Sequence, residues 1–250
     1  HNYDGIGNRI STTNARGQVT SRTFDALNRL TEIGYEDGST VSYTYDAASN
    51  RLSMTDETGI TSYTYDGLDR PLSIVQPEGT ITYTYDAVNR LSMTTPGGTV
   101  DYGYDAADRL TAVTDWGGRT TTYTYDKAGL QTGTSYPNGV SASTTYNGAG
   151  QIKDLTYSFG VSTLESFAYT YDANGNRLTM VDGSGTTSYT YDELDRLTAV
   201  SYPVVTPASV SYTYDAMGNR LSMTADGTTT SYTYDAADRL VSMDEGGSVT

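Results

Sequence analysis

The chain has 250 residues, of which 30 are acidic and 15 are basic, so its formal net charge at pH 7 is −15. A field of this sign repels phosphate backbones and anionic lipid, which argues against nucleic acid or a membrane surface as a partner. The chain has no cysteine, which excludes disulfides and thiolate metal sites. No apolar run approaches the roughly 18 residues of a membrane-spanning helix, so no membrane insertion is predicted.

An aromatic residue followed by Asp, in one instance by Asn, recurs twelve times at intervals of 19 to 25 residues. A basic residue and Leu follow most of these pairs four or five residues later. A fixed period in this range indicates one supersecondary unit stacked many times, so we expect function to reside in the assembled surface. The aromatic residues are Tyr3, Phe24, Tyr45, Tyr65, Tyr85, Tyr104, Tyr125, Tyr146, Tyr171, Tyr191, Tyr214 and Tyr234.

Each repeat is predicted to be one β-hairpin with its connection. Residues 186–191 read Thr-Thr-Ser-Tyr-Thr-Tyr, and this run of β-favouring residues, with Tyr at every second position at its end, indicates a strand. Asp then opens a turn, because its carboxylate can accept backbone N–H groups two residues on. A second strand, such as residues 221–224, ends in a Gly-rich turn such as residues 96–98.

The spacing from Asp to Arg predicts two sizes for the first turn. Asp86 to Arg90 is four steps, whereas Asp172 to Arg177 is five and includes Gly-Asn. An extra residue in left-handed conformation would give a bulged loop. Whether the Tyr stripe and the Leu/Met stripe share one face depends on that bulge, so both arrangements stay open.

The predicted fold class is all-β: about twelve hairpins over residues 1–250, in one curled or spiral sheet, because open sheets beyond about ten strands curl. A single repeat array of this kind needs end caps, so we expect a segment of a longer protein. The motif loses its Arg near Leu130 and Gln151, which predicts a seam at 127–168. Pro203 and Pro207 mark a second irregular turn.

The blocks YDANGNRL from Tyr171 and YDAMGNRL from Tyr214 resemble the YD repeat of RHS-repeat proteins. That family includes bacterial polymorphic toxins, encapsulating components of insecticidal toxin complexes, wall-associated proteins and the teneurins. The resemblance implies a strand spiral that closes into a hollow shell, which in the toxins encloses a C-terminal toxic domain. The self-cleaving segment that follows the repeats in the family has no counterpart here.

The motif residues are interpreted as structural. Asp is expected to open turns, Arg to form carboxylate ladders between neighbouring repeats, and Tyr to pack between repeats. The chain lacks the Asp-x-Asp-x-Asp-Gly and Gly-Gly-x-Gly-x-Asp signatures of calcium loops. The representative positions are Tyr85, Asp86, Arg90, Tyr171, Asp172, Arg177, Tyr214, Asp215 and Arg220.

Catalysis has little support in the sequence. The single His is His1 and there is no Cys, which removes Ser-His-Asp, Cys-His and His-ligated zinc chemistry. We therefore predict no enzyme, no catalytic residue, no cofactor and no metal site. The lone Trp116 is the candidate for a local glycan contact, because an aromatic face suits sugar stacking.

Two functions follow from this pattern. The first is structural: the wall of a secreted or surface β-shell around a toxin or effector, or of an extracellular tube or fibre, with delivery by a secretion system as one route. The partners would be neighbouring repeats, copies of the chain or an enclosed C-terminal toxin domain. The alternative is an adhesion module that binds carbohydrate in cell–cell contact.

Overall fold

A computed structural model describes residues 1–203, 207–246 and 248–249. The chain forms two compact units, His1–Thr121 and Thr122–Thr250, and each is described by itself. Every regular element among the described residues is a β-strand, which confirms the all-β prediction. No described segment is a helix long and apolar enough to cross a membrane.

In the first unit, successive strands between Asn2 and Thr114 pair antiparallel in chain order. Every Tyr-x-Tyr strand and the strand after it therefore form a hairpin, as predicted. The strands are β1 (Asn2–Tyr3), β2 (Arg9–Thr13), β3 (Val19–Phe24), β4 (Leu30–Gly34), β5 (Thr40–Tyr45), β6 (Arg51–Asp56), β7 (Gly59–Tyr65), β8 (Pro71–Gln76), β9 (Gly79–Tyr85), β10 (Arg90–Thr95), β11 (Gly98–Tyr104) and β12 (Leu110–Thr114).

The second unit repeats this arrangement from β13 (Thr120–Tyr125), whose residues 122–125 pair with β14. Each later strand again pairs antiparallel with the next one. They are β14 (Gln131–Ser135), β15 (Val140–Tyr146), β16 (Ile152–Phe159), β17 (Ser162–Tyr171), β18 (Arg177–Asp182), β19 (Gly185–Tyr191), β20 (Leu197–Ser201), β21 (Ser209–Tyr214), β22 (Arg220–Ala225), β23 (Thr228–Tyr234), β24 (Leu240–Glu245) and β25 (Ser248–Val249).

Two predicted irregularities fall in the second unit. The segment 127–168 contains β16 and most of β17, the longest strands described there at eight and ten residues, while its role as a seam stays a prediction. The turn at Pro203 and Pro207 is closed by a 2.8 Å hydrogen bond from Tyr202 N to Ala208 O. Residues 204–206 of that turn lie outside the described residues.

The two faces of the sheet differ in side chains. In β9, Tyr83 and Tyr85 are half-buried while Thr84 between them is exposed. Tyr83 pairs directly with Met93 on β10, so the Tyr and Met stripes share one face, here called the Tyr face. On the other face, here called the Thr face, hydroxyl groups pair across strands, as between Thr84 Oγ1 and Ser92 Oγ at 2.6 Å. The sequence left open whether the two stripes share a face, and the pairing of Tyr83 with Met93 shows that they do.

The described residues of neither unit form a conventional hydrophobic core. Among the described apolar residues only Val200, Val210 and Tyr232 are buried, and no described large side chain is less than 2% exposed. Packing therefore comes from side chains of neighbouring strands that cover one another on the Tyr face. Each of these contacts buries little apolar area, so the stabilisation that burial gives to the fold is spread over many small contacts.

The turns that join one hairpin to the next contain glycines that pack against a ring or bulky residue of the following turn. Gly98 has a φ of +134°, and a Cβ built there would lie 2.5 Å from Cβ of Trp116. Both the backbone conformation and the close approach therefore require glycine. Equivalent pairs are Gly59 with Pro77, Gly79 with Pro96, Gly139 with Phe159 and Gly185 with Pro203.

Replacing Gly98 with Ala should destabilise the chain by about 3 kcal/mol, because it combines a left-handed backbone with overpacking against Trp116. Its neighbour Gly97 has no positive φ and an added Cβ would only touch Thr95 Oγ1 at 3.5 Å. Gly97→Ala should therefore change the free energy of unfolding by less than about 0.5 kcal/mol. Urea denaturation of both variants checks this, and equal midpoints would contradict it.

Candidate functional site: the Tyr–Asp loops

Each Tyr–Asp loop is held by the carboxylate that opens it. Asp215 Oδ1 accepts the backbone N–H groups of Met217 at 2.9 Å and Asn219 at 2.8 Å. The loop is closed by hydrogen bonds from Asp215 N to Asn219 O at 2.9 Å and from Gly218 N to Asp215 O at 3.2 Å. Gly218 has a φ of +93°, the left-handed conformation expected at this position. Asp is thus the turn opener that the sequence predicted.

These hydrogen bonds lower the pKa of the motif carboxyls Asp25 and Asp215 below the usual 3.8. The side-chain amide of Asn219 is the largest cause of the lowered pKa of Asp215, and the backbone N–H of Arg29 is the largest cause for Asp25. A carboxyl with a lowered pKa stays ionised at neutral pH, whereas a general acid needs a raised pKa. The arrangement therefore suits a structural anion.

Arginine occupies two positions that alternate along the chain. In the arginine loops, Arg lies inside the loop, four residues after Asp; they open at Asp25, Asp66, Asp105, Asp192 and Asp235. In the asparagine loops, Asn ends the loop and Arg follows, opposite the motif Tyr; they open at Asp4, Asp46, Asp86, Asp172 and Asp215. The loops at Asp126 and Asn147 have no Arg.

The predicted difference in loop size is confirmed between the loops at Asp86 and Asp172, but it does not hold for the arginine loops. The loop-closing hydrogen bond runs from Asp25 N to Arg29 O and from Asp215 N to Asn219 O, so both classes span the same four residues. The loop at Asp86 is shorter, since Asp86 N bonds Asn89 O. The class of loop is therefore given by the residue that closes it, which is Arg29 in the loop at Asp25 and Asn89 in the loop at Asp86.

In the arginine loops, one guanidinium makes contacts in two repeats. Arg29 Nε donates to Asp25 Oδ2 in its own loop at 2.7 Å, and Nη1 donates to the backbone O of Asp46 in the next loop at 2.7 Å. The guanidinium also lies 4.8 Å from the centre of the Tyr45 ring. Arg70 and Arg196 make the same three contacts.

The predicted carboxylate ladder between repeats was therefore wrong. The loop brings Asp and Arg together four residues apart, so the carboxylate partner lies in the same repeat. The partners in the next repeat are a carbonyl oxygen and a ring face.

In the asparagine loops, the loop amide makes the link to the next repeat. Asn50 Nδ2 donates to Asp46 Oδ2 in its own loop at 3.0 Å and to Asp69 Oδ1 in the following arginine loop at 2.7 Å. Asp69 holds a left-handed φ of +60°. The same link joins Asn89 to Asp108, Asn176 to Asp195 and Asn219 to Asp238 at 2.6–2.8 Å.

The arginines that follow the asparagine loops lie between tyrosines of successive repeats. The Arg51 guanidinium is 5.4 Å from the ring centres of both Tyr43 and Tyr63. The predicted packing of Tyr between repeats is thus mediated here by a cation. Arg90, Arg177 and Arg220 are placed in the same way, at 4.3–5.9 Å. Arg220 Nε is buried and has no hydrogen-bond partner, so ring faces are its surroundings.

The motif Tyr hydroxyl bonds to a β-bulge of the preceding repeat. Pro71 pairs with Tyr65 and Ser73 with Thr64, which leaves Leu72 as the extra residue of a bulge. Tyr85 of the next repeat donates its hydroxyl to the carbonyl O of Pro71 at 2.9 Å. Equivalent bonds run from Tyr45, Tyr65, Tyr104, Tyr146, Tyr171, Tyr191, Tyr214 and Tyr234.

Trp116 lies at the end of the strands opposite the Tyr–Asp loops, in a glycine turn opened by Asp115. Asp115 Oδ1 accepts the Gly117 N–H at 2.8 Å, and Arg119 Nε donates to Asp115 Oδ2 at 2.8 Å. Cβ of Trp116 packs closely against Gly98, while Trp116 as a whole is 66% exposed. Among the described residues, no three His, Cys, Asp or Glu side chains form a group that could hold a metal ion.

Comparison with family models now identifies this repeat. The model described as Teneurin YD-shell matches residues 74–246, and the model described as RHS Repeat matches residues 3–40, 24–61 and 45–81. The chain belongs to the YD-shell family of RHS-repeat proteins. The resemblance inferred from the Tyr–Asp blocks is confirmed. A search of curated sequences finds no match to this YD-shell chain.

Solved structures share the YD-shell fold. The crystal structures titled TcdB2-TccC3-Cdc42 and TcdB2-TccC3 without hypervariable C-terminal region each match 96% of this chain at 19% sequence identity and a TM-score of 0.51. The chain spans 16% of the length of each of them. At this identity the match shows the fold alone.

The Tyr85 hydroxyl should stabilise the YD-shell segment measurably. Tyr85→Phe removes the donor to Pro71 O and should lower the free energy of unfolding by about 1 kcal/mol. Tyr83, two residues earlier on the same strand, makes no hydrogen bond through its hydroxyl within the described residues, so Tyr83→Phe is the matched control and should cost less than about 0.5 kcal/mol. Urea denaturation of both variants tests this; equal losses would contradict the assigned role.

Proposed function

We propose that this YD-shell segment is part of the wall of a hollow β-shell in a longer secreted or surface protein. The shell would enclose a C-terminal toxin or effector domain. The observation that carries the proposal is the match of 96% of the chain to TcdB2-TccC3 structures, one of which is titled as lacking a hypervariable C-terminal region.

The contacts of the motif residues support a wall function over catalysis. Asp86, Asp172 and Asp215 direct their carboxylates to their own loops, and the pKa of each is lowered. Tyr85, Tyr171 and Tyr214 use their hydroxyl groups on the preceding repeat. The polar groups that recur along the chain are thereby engaged in building the sheet.

Electron microscopy of the full-length protein, combined with limited proteolysis, tests the shell. A closed shell should be visible, and a segment C-terminal to the repeats should resist protease until the shell is opened by denaturant. A continuous tube or a thin fibre would contradict encapsulation and favour the extracellular filament. A full-length gene without a domain after the repeats would contradict it equally.

A second candidate is adhesion through carbohydrate, favoured by the exposed Trp116 ring in a turn fixed at both ends. Binding on a glycan array should then be lost in Trp116→Ala. The matched control is Tyr136→Ala, since Tyr136 is an exposed aromatic residue that opens another glycine turn. An array without signal would contradict this function.

A further inference from the structure

The loop that opens at Asn147 departs from the arginine loops at both members of the ion pair. Asn147 takes the place of Asp, and Gln151 stands four residues later, where the arginine loops have Arg. Asn147 Nδ2 donates to Gln151 Oε1 at 2.7 Å, and Asn147 Oδ1 accepts the N–H groups of Ala149 and Gln151 at 2.9 and 3.0 Å. The loop is therefore folded like the others, with a neutral pair in place of the ion pair.

A cavity of about 380 Å³ lies beside this neutral pair, here called the Tyr171 cavity. Its lining includes Gln151, Tyr171, Asp172 and Asn174. In the arginine loops the guanidinium lies 4.3–4.9 Å from the next Tyr ring and donates to the next Asp carbonyl at 2.7–3.0 Å. The shorter Gln151 amide instead approaches Gly175 O, at 3.4 Å.

Both groups that receive the guanidinium in the arginine loops are also fixed beside the Tyr171 cavity. The Tyr171 ring is held by the hydrogen bond from its hydroxyl to Ile152 O at 2.8 Å. Asp172 O accepts the Gly175 N–H at 3.2 Å, just as Asp46 O accepts the Ser49 N–H at 3.2 Å. Because a carbonyl oxygen has two lone pairs, Asp46 O takes Arg29 Nη1 as well, and Asp172 O has the same capacity.

We propose that the Tyr171 cavity binds the guanidinium of an arginine side chain from a partner polypeptide. A planar guanidinium can stack on the Tyr171 ring while donating to Asp172 O, whereas an ammonium is a compact point charge with no planar face to stack. The net charge of −15 favours the approach of a basic segment. Binding at this cavity does not depend on whether the chain forms part of a shell.

Titration of the ¹⁵N-labelled chain with N-acetyl-L-arginine amide tests the proposal. Saturable chemical-shift changes are expected at the backbone amides of Ala149, Asp172 and Gly175, and uncharged N-acetyl-L-citrulline amide should produce none. Free L-arginine should bind no more tightly than the capped residue, because the cavity is assigned to a side chain in a polypeptide. Tighter binding of free L-arginine would overturn that assignment.

Two double variants make the test specific. Asn147→Asp with Gln151→Arg restores the ion pair, fills the cavity and should weaken binding of the capped arginine at least tenfold. Asp66→Asn with Arg70→Gln is expected to open the equivalent cavity beside Tyr85 and to create a second site there. Thermal unfolding of each variant verifies that the chain is folded.

Shifts of equal size with the citrulline probe would overturn the proposal. Unchanged affinity in the folded variant that restores the ion pair would overturn it as well. If the Asp66 and Arg70 variant is unfolded, the variant at Asn147 and Gln151 alone decides the outcome.

Discussion

The closure of each Tyr–Asp loop by its own carboxylate is the constraint on which the other contacts depend. Asp215 fixes the backbone as far as Asn219. The next residue, Arg220, therefore pairs with the motif Tyr214 and begins a bulge at a defined position. The bulge carbonyl of Arg220 then meets the Tyr234 hydroxyl of the next repeat. The same carboxylate holds the amide of Asn219, whose second contact is with the next loop. One anion thus determines both the strand register and the links between repeats.

Stability in such a sheet is distributed over many weak contacts, because few described side chains are buried. An Arg–Tyr contact contributes about 0.5–1 kcal/mol where it is partly exposed, and a neutral hydrogen bond contributes about 1 kcal/mol. Since these contacts join neighbouring repeats, stability is close to a sum over neighbours. Replacement of the ion pair in one loop by a neutral pair, as at Asn147 and Gln151, therefore does not disrupt the strands on either side of that loop.

Much of this architecture was predictable from local sequence. Alternation of Tyr and Thr indicates strands with two unlike faces, and Asp before a small residue indicates a turn. The two classes of arginine were not predicted, because the side chain's direction depends on which residue begins the bulge. Arg29 and Arg51 differ by one step from Asp, and that step separates a loop position from a strand position. The contact of Gly98 with Trp116 joins separate turns and leaves no local signal.

The alternation of arginine and asparagine loops has a consequence for how such an array can change length. Asn50 requires an arginine loop after it, with Asp69 as acceptor, and Arg29 requires the Asp46 carbonyl and Tyr45 ring that follow it. Loss of one hairpin with an arginine loop would place two asparagine loops side by side and break this alternation at a residue such as Asn50, which would lose its acceptor Asp69. Insertion or loss of hairpins in pairs preserves it. Recombination between repeats that shifts the chain by an even number of units therefore preserves the links made by the loop Asn residues.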